Sequence, residues 1–311
     1  MKVRIECHIP LSDGVAFSKE VFLKPLDCPI SPLSLVKDIN SILSNHGITK
    51  TITSSNITIT DKIVSDCVKQ DQVLSDLIVD SIWPSINSLT VYHYTSKENA
   101  ESILKNNEFR LYSLLRRFDE QEIETFCKNH ELSGYLDSLD GVDGEPVYKE
   151  LMSNMYYASF TDTNLTVDQE QYFWKTFAPN EGVRLKLRVI AKNPNFRKMV
   201  YEKTKGKPLD LLYDLTQCIK NKYKRNFVLS GISRLCAFYL AKDFDVENEY
   251  RVLYRSWREI DPNLKEDKKY KYIRVPLGPM NNFDYQFDIM EIQSDTDLII
   301  PSQYNVVPRD I

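Results

Sequence analysis

The run Val91-Tyr92-His93-Tyr94-Thr95-Ser96 puts an imidazole and three following hydroxyls where a strand passes into a helix. Backbone N–H groups point outward at such a junction, a geometry that suits a ribose or a phosphate. His93, Tyr94, Thr95 and Ser96 are therefore candidate ligand contacts. A lone histidine there can equally cap a strand or complete a core hydrogen bond. A second island, Tyr156-Tyr157-Ala158-Ser159-Phe160-Thr161-Asp162, is a strand with a polar end, and Asp168-Gln169-Glu170-Gln171-Tyr172-Phe173-Trp174 follows it. The flat faces of Tyr172 and Trp174 beside that strand end suit a planar heterocycle, with stacking worth on the order of 1 kcal/mol beyond area burial. The third island is Asp245-Val246-Glu247-Asn248-Glu249-Tyr250-Arg251-Val252. In an extended chain Glu247 and Glu249 point to one face roughly 7 Å apart. Paired carboxylates are tolerated in a site that uses charge, or on an open surface where water screens them.

Local patterns indicate the elements that carry these islands. Leu89, Val91 and Tyr92 are strand formers. Thr95 and Glu98 have capping-box spacing ahead of Ala100, Ile103 and Leu104, and Asn106-Asn107 supplies the stop. Asp168 is the expected cap of the next helix, with Phe173 and Phe177 facing the core and Tyr172 and Trp174 projecting elsewhere. Residues 182–190 alternate Val183, Leu185, Leu187 and Val189 with Arg184, Lys186 and Arg188, which predicts a strand with one buried and one wet face. A helix is expected from Pro208 to Tyr223 and another through Ile232, Leu235, Cys236 and Tyr239. Tyr250, Val252 and Tyr254 form a further strand, and Tyr272 to Val275 another. No regular βαβ alternation and no internal repeat appear, so the expected class is α+β.

Residues 1–88 have a different texture: strands at Val3–Ile9 and Val21–Leu23, a helix through Leu35, Val36, Ile39, Ile42 and Leu43 ended by Gly47, and a strand at Ile57–Thr60. That order suits a small β-grasp-like accessory module, joined by the turn formers of Trp83–Ser88 to a second domain over 89–311. Segments 119–150 and 257–269 are expected to be solvated excursions, and the basic run Lys220–Arg225 a solvated helix end.

With 311 residues, 42% of them hydrophobic, the chain can bury one large core or two ordinary ones. A net charge of −4 argues against general binding to nucleic acid or an anionic membrane. No apolar run approaches a membrane span and no signal peptide is evident, so a cytoplasmic setting is expected, although a secreted effector without a cleaved signal has the same appearance. Six dispersed cysteines form no Cys-x-x-Cys pair and no ligand spacing with the four histidines, so no metal is expected.

Taken in order, the islands resemble the ADP-ribosyltransferase superfamily, with its histidine-bearing first strand, its serine- and aromatic-containing second strand followed by a helix, and its late strand led by glutamate. More narrowly, Val91-Tyr92-His93-Tyr94-Thr95, Ala158-Ser159-Phe160-Thr161, Trp174, Gly182-Val183 and Glu247-Asn248-Glu249-Tyr250-Arg251 look like the motifs of a widespread bacterial family of uncharacterised proteins. The resemblance covers about residues 89–300 and rests on the number and order of short motifs. It implies a split β-sheet core with flanking helices and NAD as the substrate. By the same resemblance His93 would bond a ribose hydroxyl, while Tyr157, Phe160 or Tyr172 would flank the nicotinamide. Ser159 would orient the catalytic strand, and Glu249, with Glu247 beside it, would be the catalytic carboxylate. The implied activity is mono-ADP-ribosyl transfer to a protein or nucleic-acid acceptor, and the expectation is that Glu249→Gln folds normally and loses it. A non-catalytic ADP-ribose-binding module, an NAD glycohydrolase and a structural interaction protein remain the alternatives. They differ in nicotinamide release, in labelled product, and in whether His93, Ser159 and Glu249 converge.

Overall fold

Period-two runs rich in Val, Leu, Tyr and Phe assemble, in the computed structural model, into one ten-stranded, mostly antiparallel sheet accompanied by several helices, an α+β architecture. The structure describes residues 2–7, 17–22, 31–59, 63–65, 72–115, 122–130, 149, 152–223, 226–228, 235–256, 261–267, 270–279 and 283–309. The chain divides into two compact units. One takes residues 1–84, 120–152 and 202–240, and the other takes 85–119, 153–201 and 241–311. The division expected near residue 88 is a single cut, whereas these units interleave along the chain.

The second unit carries the sheet. Its strands are β1 (Ser88–Thr95), β2 (Glu108–Ser113), β3 (Met155–Thr161), β4 (Val183–Ala191), β5 (Phe196–Lys198), β6 (Glu249–Arg255), β7 (Leu264–Glu266), β8 (Lys271–Pro276), β9 (Tyr285–Gln293) and β10 (Val306–Val307). Strand order is β7-β8-β2-β3-β1-β4-β9-β10, with β6 pairing both β3 and β5. β3 is the hinge of this arrangement. One edge pairs with β6 from Glu249 opposite Thr161 to Arg255 opposite Met155. The other edge meets β2 only at Tyr156 and Tyr157 and meets β1 only at Thr161. The sheet is therefore open along that edge at residues 158–160. Val91, Phe109, Phe160, Leu187, Val252 and Phe287 are among the side chains that build the core on one sheet face. Burying each such residue is worth roughly 1.5–3 kcal/mol.

Two helices flank the site strands, and both begin one or two residues away from the expected caps. Helix α1 (Lys97–Asn106) is capped by Ser96, whose hydroxyl accepts the Asn99 N–H at 3.3 Å. Thr95 is instead the buried last residue of β1, paired with Val183. A β-branched residue fits the strand, which displaces the cap by one position. Asn107, left-handed at φ 52°, ends the helix as expected. Helix α2 (Val167–Phe177) is capped by Thr166 in a box with Gln169, while Asp168 stands in its first turn. Trp174 does not project away: it is buried with Phe173, Tyr94 and Ala178. Arg184 also departs from the expected wet face of β4. It is buried, with its guanidinium over the Tyr92 ring at 4.2 Å and paired to Glu170.

In the other unit, helix Pro32–Asn45 buries Leu35, Ile39 and Leu43 and touches helix Asp210–Tyr223. Lys222 pairs with Asp38 at 2.5 Å, so that part of the basic run is engaged. Helix Glu122–Asn129 lies within an expected solvated excursion yet buries Phe126 and Cys127. Tyr239 belongs to a short strand, Tyr239–Leu240, and not to a helix continued from Leu235. Among the described residues Lys2–Cys7 pairs only with Phe17–Phe22, while Thr58–Ile59 joins Ile63–Ser65 and Asn226–Val228 in another sheet. The strands expected in one β-grasp-like sheet thus lie in two. In the sheet unit, the second expected excursion contributes β7 and the buried Asp261. His8, Ile9, Leu23, Thr60, Lys224, Arg225, Ile232, most of 131–151 and residues 257–260 lie outside the described residues. Among the described residues no helix is long and apolar enough to cross a membrane.

Candidate functional site

Ser159 joins the three islands, and it does so because of the open edge of β3. With no ladder neighbour there, its carbonyl needs a donor. His93 supplies one: Nδ1 lies 3.1 Å from the Ser159 oxygen. A carbonyl only accepts, so Nδ1 carries the proton and Nε2 of the neutral ring is an acceptor. Nε2 has no hydrogen-bond partner among the described residues. Burial pushes the His93 pKa down to about 4, against the opposing pull of the Ser159 bond. The ring is edge-on to Phe109 at 4.9 Å and tilted against Phe160 at 5.8 Å.

The Ser159 hydroxyl turns the other way, toward β6. Register places Arg251 opposite Ser159 and Glu249 opposite Thr161, so these side chains share the sheet face away from the Phe160 core. Ser159 donates its hydroxyl to Glu249 Oε1. Arg251 closes a fork on the same carboxylate, Nε to Oε1 at 2.9 Å and Nη2 to Oε2 at 3.2 Å. Its guanidinium also lies over the Tyr157 ring at 4.7 Å. The side chains of this pair are 0% and 2% exposed. Removing one partner of such a buried pair typically costs about 3–5 kcal/mol. The sequence predicts normal folding for Glu249→Gln, and the ion pair adds the expectation of a lower stability in that variant.

Glu247 arrives differently. It ends a 3₁₀ turn, Lys242–Glu247, is buried, and accepts the Thr161 hydroxyl on its carbonyl at 3.1 Å. Asn248 then turns left-handed at φ 42° and ψ 46°, a region asparagine tolerates better than most residues. The extended geometry expected across Glu247-Asn248-Glu249 is broken at that residue. Tyr201 receives the Glu249 N–H on its hydroxyl at 2.7 Å. Burial, then the charges of Glu249 and Glu247, hold that phenol well above the ordinary tyrosine range. Tyr172, on α2, is raised by burial and by the Glu247 charge.

The other expected contacts are placed as follows. Tyr94 stacks on Phe173 at 5.3 Å and meets Trp174 edge-on at 5.2 Å, and burial raises its pKa to about 12. Arg309 covers the Trp174 ring at 4.2 Å. Thr95 and Phe160 are buried, Tyr157 lies under Arg251, and the Ser96 hydroxyl is engaged as a helix cap. Tyr92, His93, Tyr172 and Tyr201 are partly accessible. Sequence reasoning assigned no role to two residues here. Arg251 had a signal in its i+2 spacing from Glu249 on one strand, whereas Tyr201, 48 residues from Glu249, had none.

One neutral acceptor, an anchored carboxylate, donor hydroxyls and an accessible aromatic face suit a polyhydroxylated ligand carrying a flat ring. No family model, curated protein or solved structure matches the chain.

Proposed function

We propose that this chain is an NAD-dependent mono-ADP-ribosyltransferase, with an ADP-ribosyltransferase-like split sheet, acting on a macromolecular acceptor. One observation carries the reading: Ser159 binds His93 through its carbonyl and Glu249 through its hydroxyl, linking the three islands at the point where the sheet opens.

In the reaction, the bond between the nicotinamide nitrogen and ribose C1′ breaks and its electron pair leaves with nicotinamide. The acceptor's nucleophile bonds to C1′ and gives up its proton. Positive charge grows on the ribose as the bond breaks, and a carboxylate fixed beside it stabilises that charge without reorganising. Glu249 has that fixity from Ser159 and Arg251. His93, neutral and with Nε2 available, accepts a bond from a ribose hydroxyl. Tyr172 is the aromatic assigned to flank the nicotinamide, because it is partly exposed at the rim of its cluster whereas Tyr94, Phe160 and Trp174 are buried.

A second reading, a nucleotide-binding module without turnover, has its own support in the Arg251 fork, which already neutralises the Glu249 charge in a closed setting. Labelled NAD separates the two, with and without cell extract, using the unmutated protein beside Glu249→Gln and beside Ser159→Ala, which leaves the ion pair intact. The expected result is nicotinamide release with label on a macromolecule, lowered roughly 10²- to 10³-fold by Glu249→Gln and less by Ser159→Ala. Nicotinamide without label identifies a glycohydrolase, and bound NAD without release identifies the binding module. Full activity in a folded Glu249→Gln protein removes Glu249 from the mechanism.

A further inference from the structure

Tyr201 is half-buried, and its hydroxyl has a place in the site that the mechanism above does not use. The phenol oxygen accepts the N–H of Glu249, the residue that opens β6. A phenol accepts through its oxygen and donates through its own proton, so one donor is left over. That proton has no acceptor among the described residues. The carboxylates of Glu249 and Glu247 both act electrostatically on the same hydroxyl.

These facts restrict what the donor meets. A phosphate brought against two carboxylates is repelled, and Arg251, a cation that acts on Tyr201, is already paired with Glu249. A neutral alcohol is suited, because it can accept the phenol proton and return its own proton to a carboxylate oxygen. We infer that Tyr201 is a ligand-binding and positioning residue that donates to a ribose hydroxyl next to the nicotinamide. This inference rests on the NAD reading and adds to it a residue that sets selectivity for an intact ribose. It also gives Tyr201 two functions separable by experiment: holding the β6 backbone through its oxygen, and holding the sugar through its proton.

The test is Tyr201→Phe, which keeps the ring. Binding of NAD, and of two NAD analogues each lacking one hydroxyl of the nicotinamide ribose, is measured calorimetrically without acceptor, on the full chain. Thermal unfolding is followed in parallel, because loss of the Glu249 N–H acceptor lowers the midpoint whatever the ligand. The expected result is a roughly five- to tenfold loss of NAD affinity, the size of one hydrogen bond, with no further loss for the analogue that lacks the contacted hydroxyl. Equal losses for all three nucleotides overturn the donor role and leave Tyr201 as a support for β6. Unchanged affinity for all three overturns the inference while the NAD reading stands. Failure of the unmutated protein to bind NAD is a different result, since it removes the reading on which the inference depends.

Discussion

Among the described residues, His93 in one compact unit and His130 in the other are neutral histidines that differ in exposure, His130 buried and His93 half-buried, and in what engages Nε2. Burial lowers the pKa of both His93 and His130 to about 4. His130, at the end of helix Glu122–Asn129, donates from Nδ1 to the Phe126 carbonyl at 2.7 Å and accepts the Leu209 N–H on Nε2 at 2.9 Å. Phe126 and Tyr239 cover the ring. Every polar atom of His130 is engaged by the protein, whereas His93 engages only Nδ1. A low pKa therefore does not separate the two rings, and a residual acceptor on a half-buried ring does. Two carboxylates can be compared as well: Glu202 receives the Asn129 amide and the Gly206 N–H, and Glu249 receives a guanidinium fork.

The largest expected effect tests the carboxylates. Arg251→Met strands a buried charge on Glu249 and lowers unfolding free energy by about 3–5 kcal/mol, while Asn129→Ala removes one bond to Glu202 and costs about 1.5–3 kcal/mol. Denaturant titration of both variants measures the gap, and equal costs erase the distinction. Next come the histidines. His93→Leu leaves the Ser159 carbonyl bare and His130→Leu leaves the Leu209 N–H bare, each at about 1–3 kcal/mol. On the proposed NAD reading, only His93→Leu is expected to abolish nucleotide binding. Retained binding in that variant, or loss in folded His130→Leu, breaks the rule about the residual acceptor.

Acid sharpens the same contrast. Both histidines have a folded pKa of about 4 against 6.5 in the free side chain. Between those values the unfolded chain binds more protons, so stability is full above pH 6.5 and is lost as pH falls toward and through 4. Unfolding titrated from pH 7 to 4 should show this slope, lessened by substitution of either histidine. On the proposed reading NAD binding needs unprotonated Nε2 on His93, so it should stay level through neutral pH and fall through about pH 4 in a folded protein, with no contribution from His130.

The strands of the site were readable because alternation survives in a short window: Val252 and Tyr254 pack toward the core from β6, and the strand through Val183 and Leu187 appears where expected. The meeting of His93 with Ser159 depends on a gap in strand pairing, and no local pattern encodes a missing neighbour. Arg184 and Trp174 were misplaced for a related reason. Each is buried by a partner distant in sequence or on another element, Tyr92 for one and Arg309 for the other, and periodicity along one element carries no information about what covers it. The α2 cap is displaced because Thr166 as well as Asp168 can serve as a cap, and Thr166 is the residue with extended backbone there.

The smallest expected effect concerns the junction that first suggested a ligand. Ser96 stands three residues from His93, yet its hydroxyl accepts the Asn99 N–H and bonds the Glu98 carboxylate at the head of α1. Its proton and one of its lone pairs are thus taken up at the head of the helix, a structural use. Ser96→Ala should therefore cost about 1 kcal/mol of stability, the usual loss for an N-cap, and leave the affinity for NAD unchanged. Calorimetric binding beside thermal unfolding reads both quantities on one sample. If affinity falls with the cap, the junction hydroxyls belong to the site after all, and engagement within the protein does not separate binding residues from structural ones.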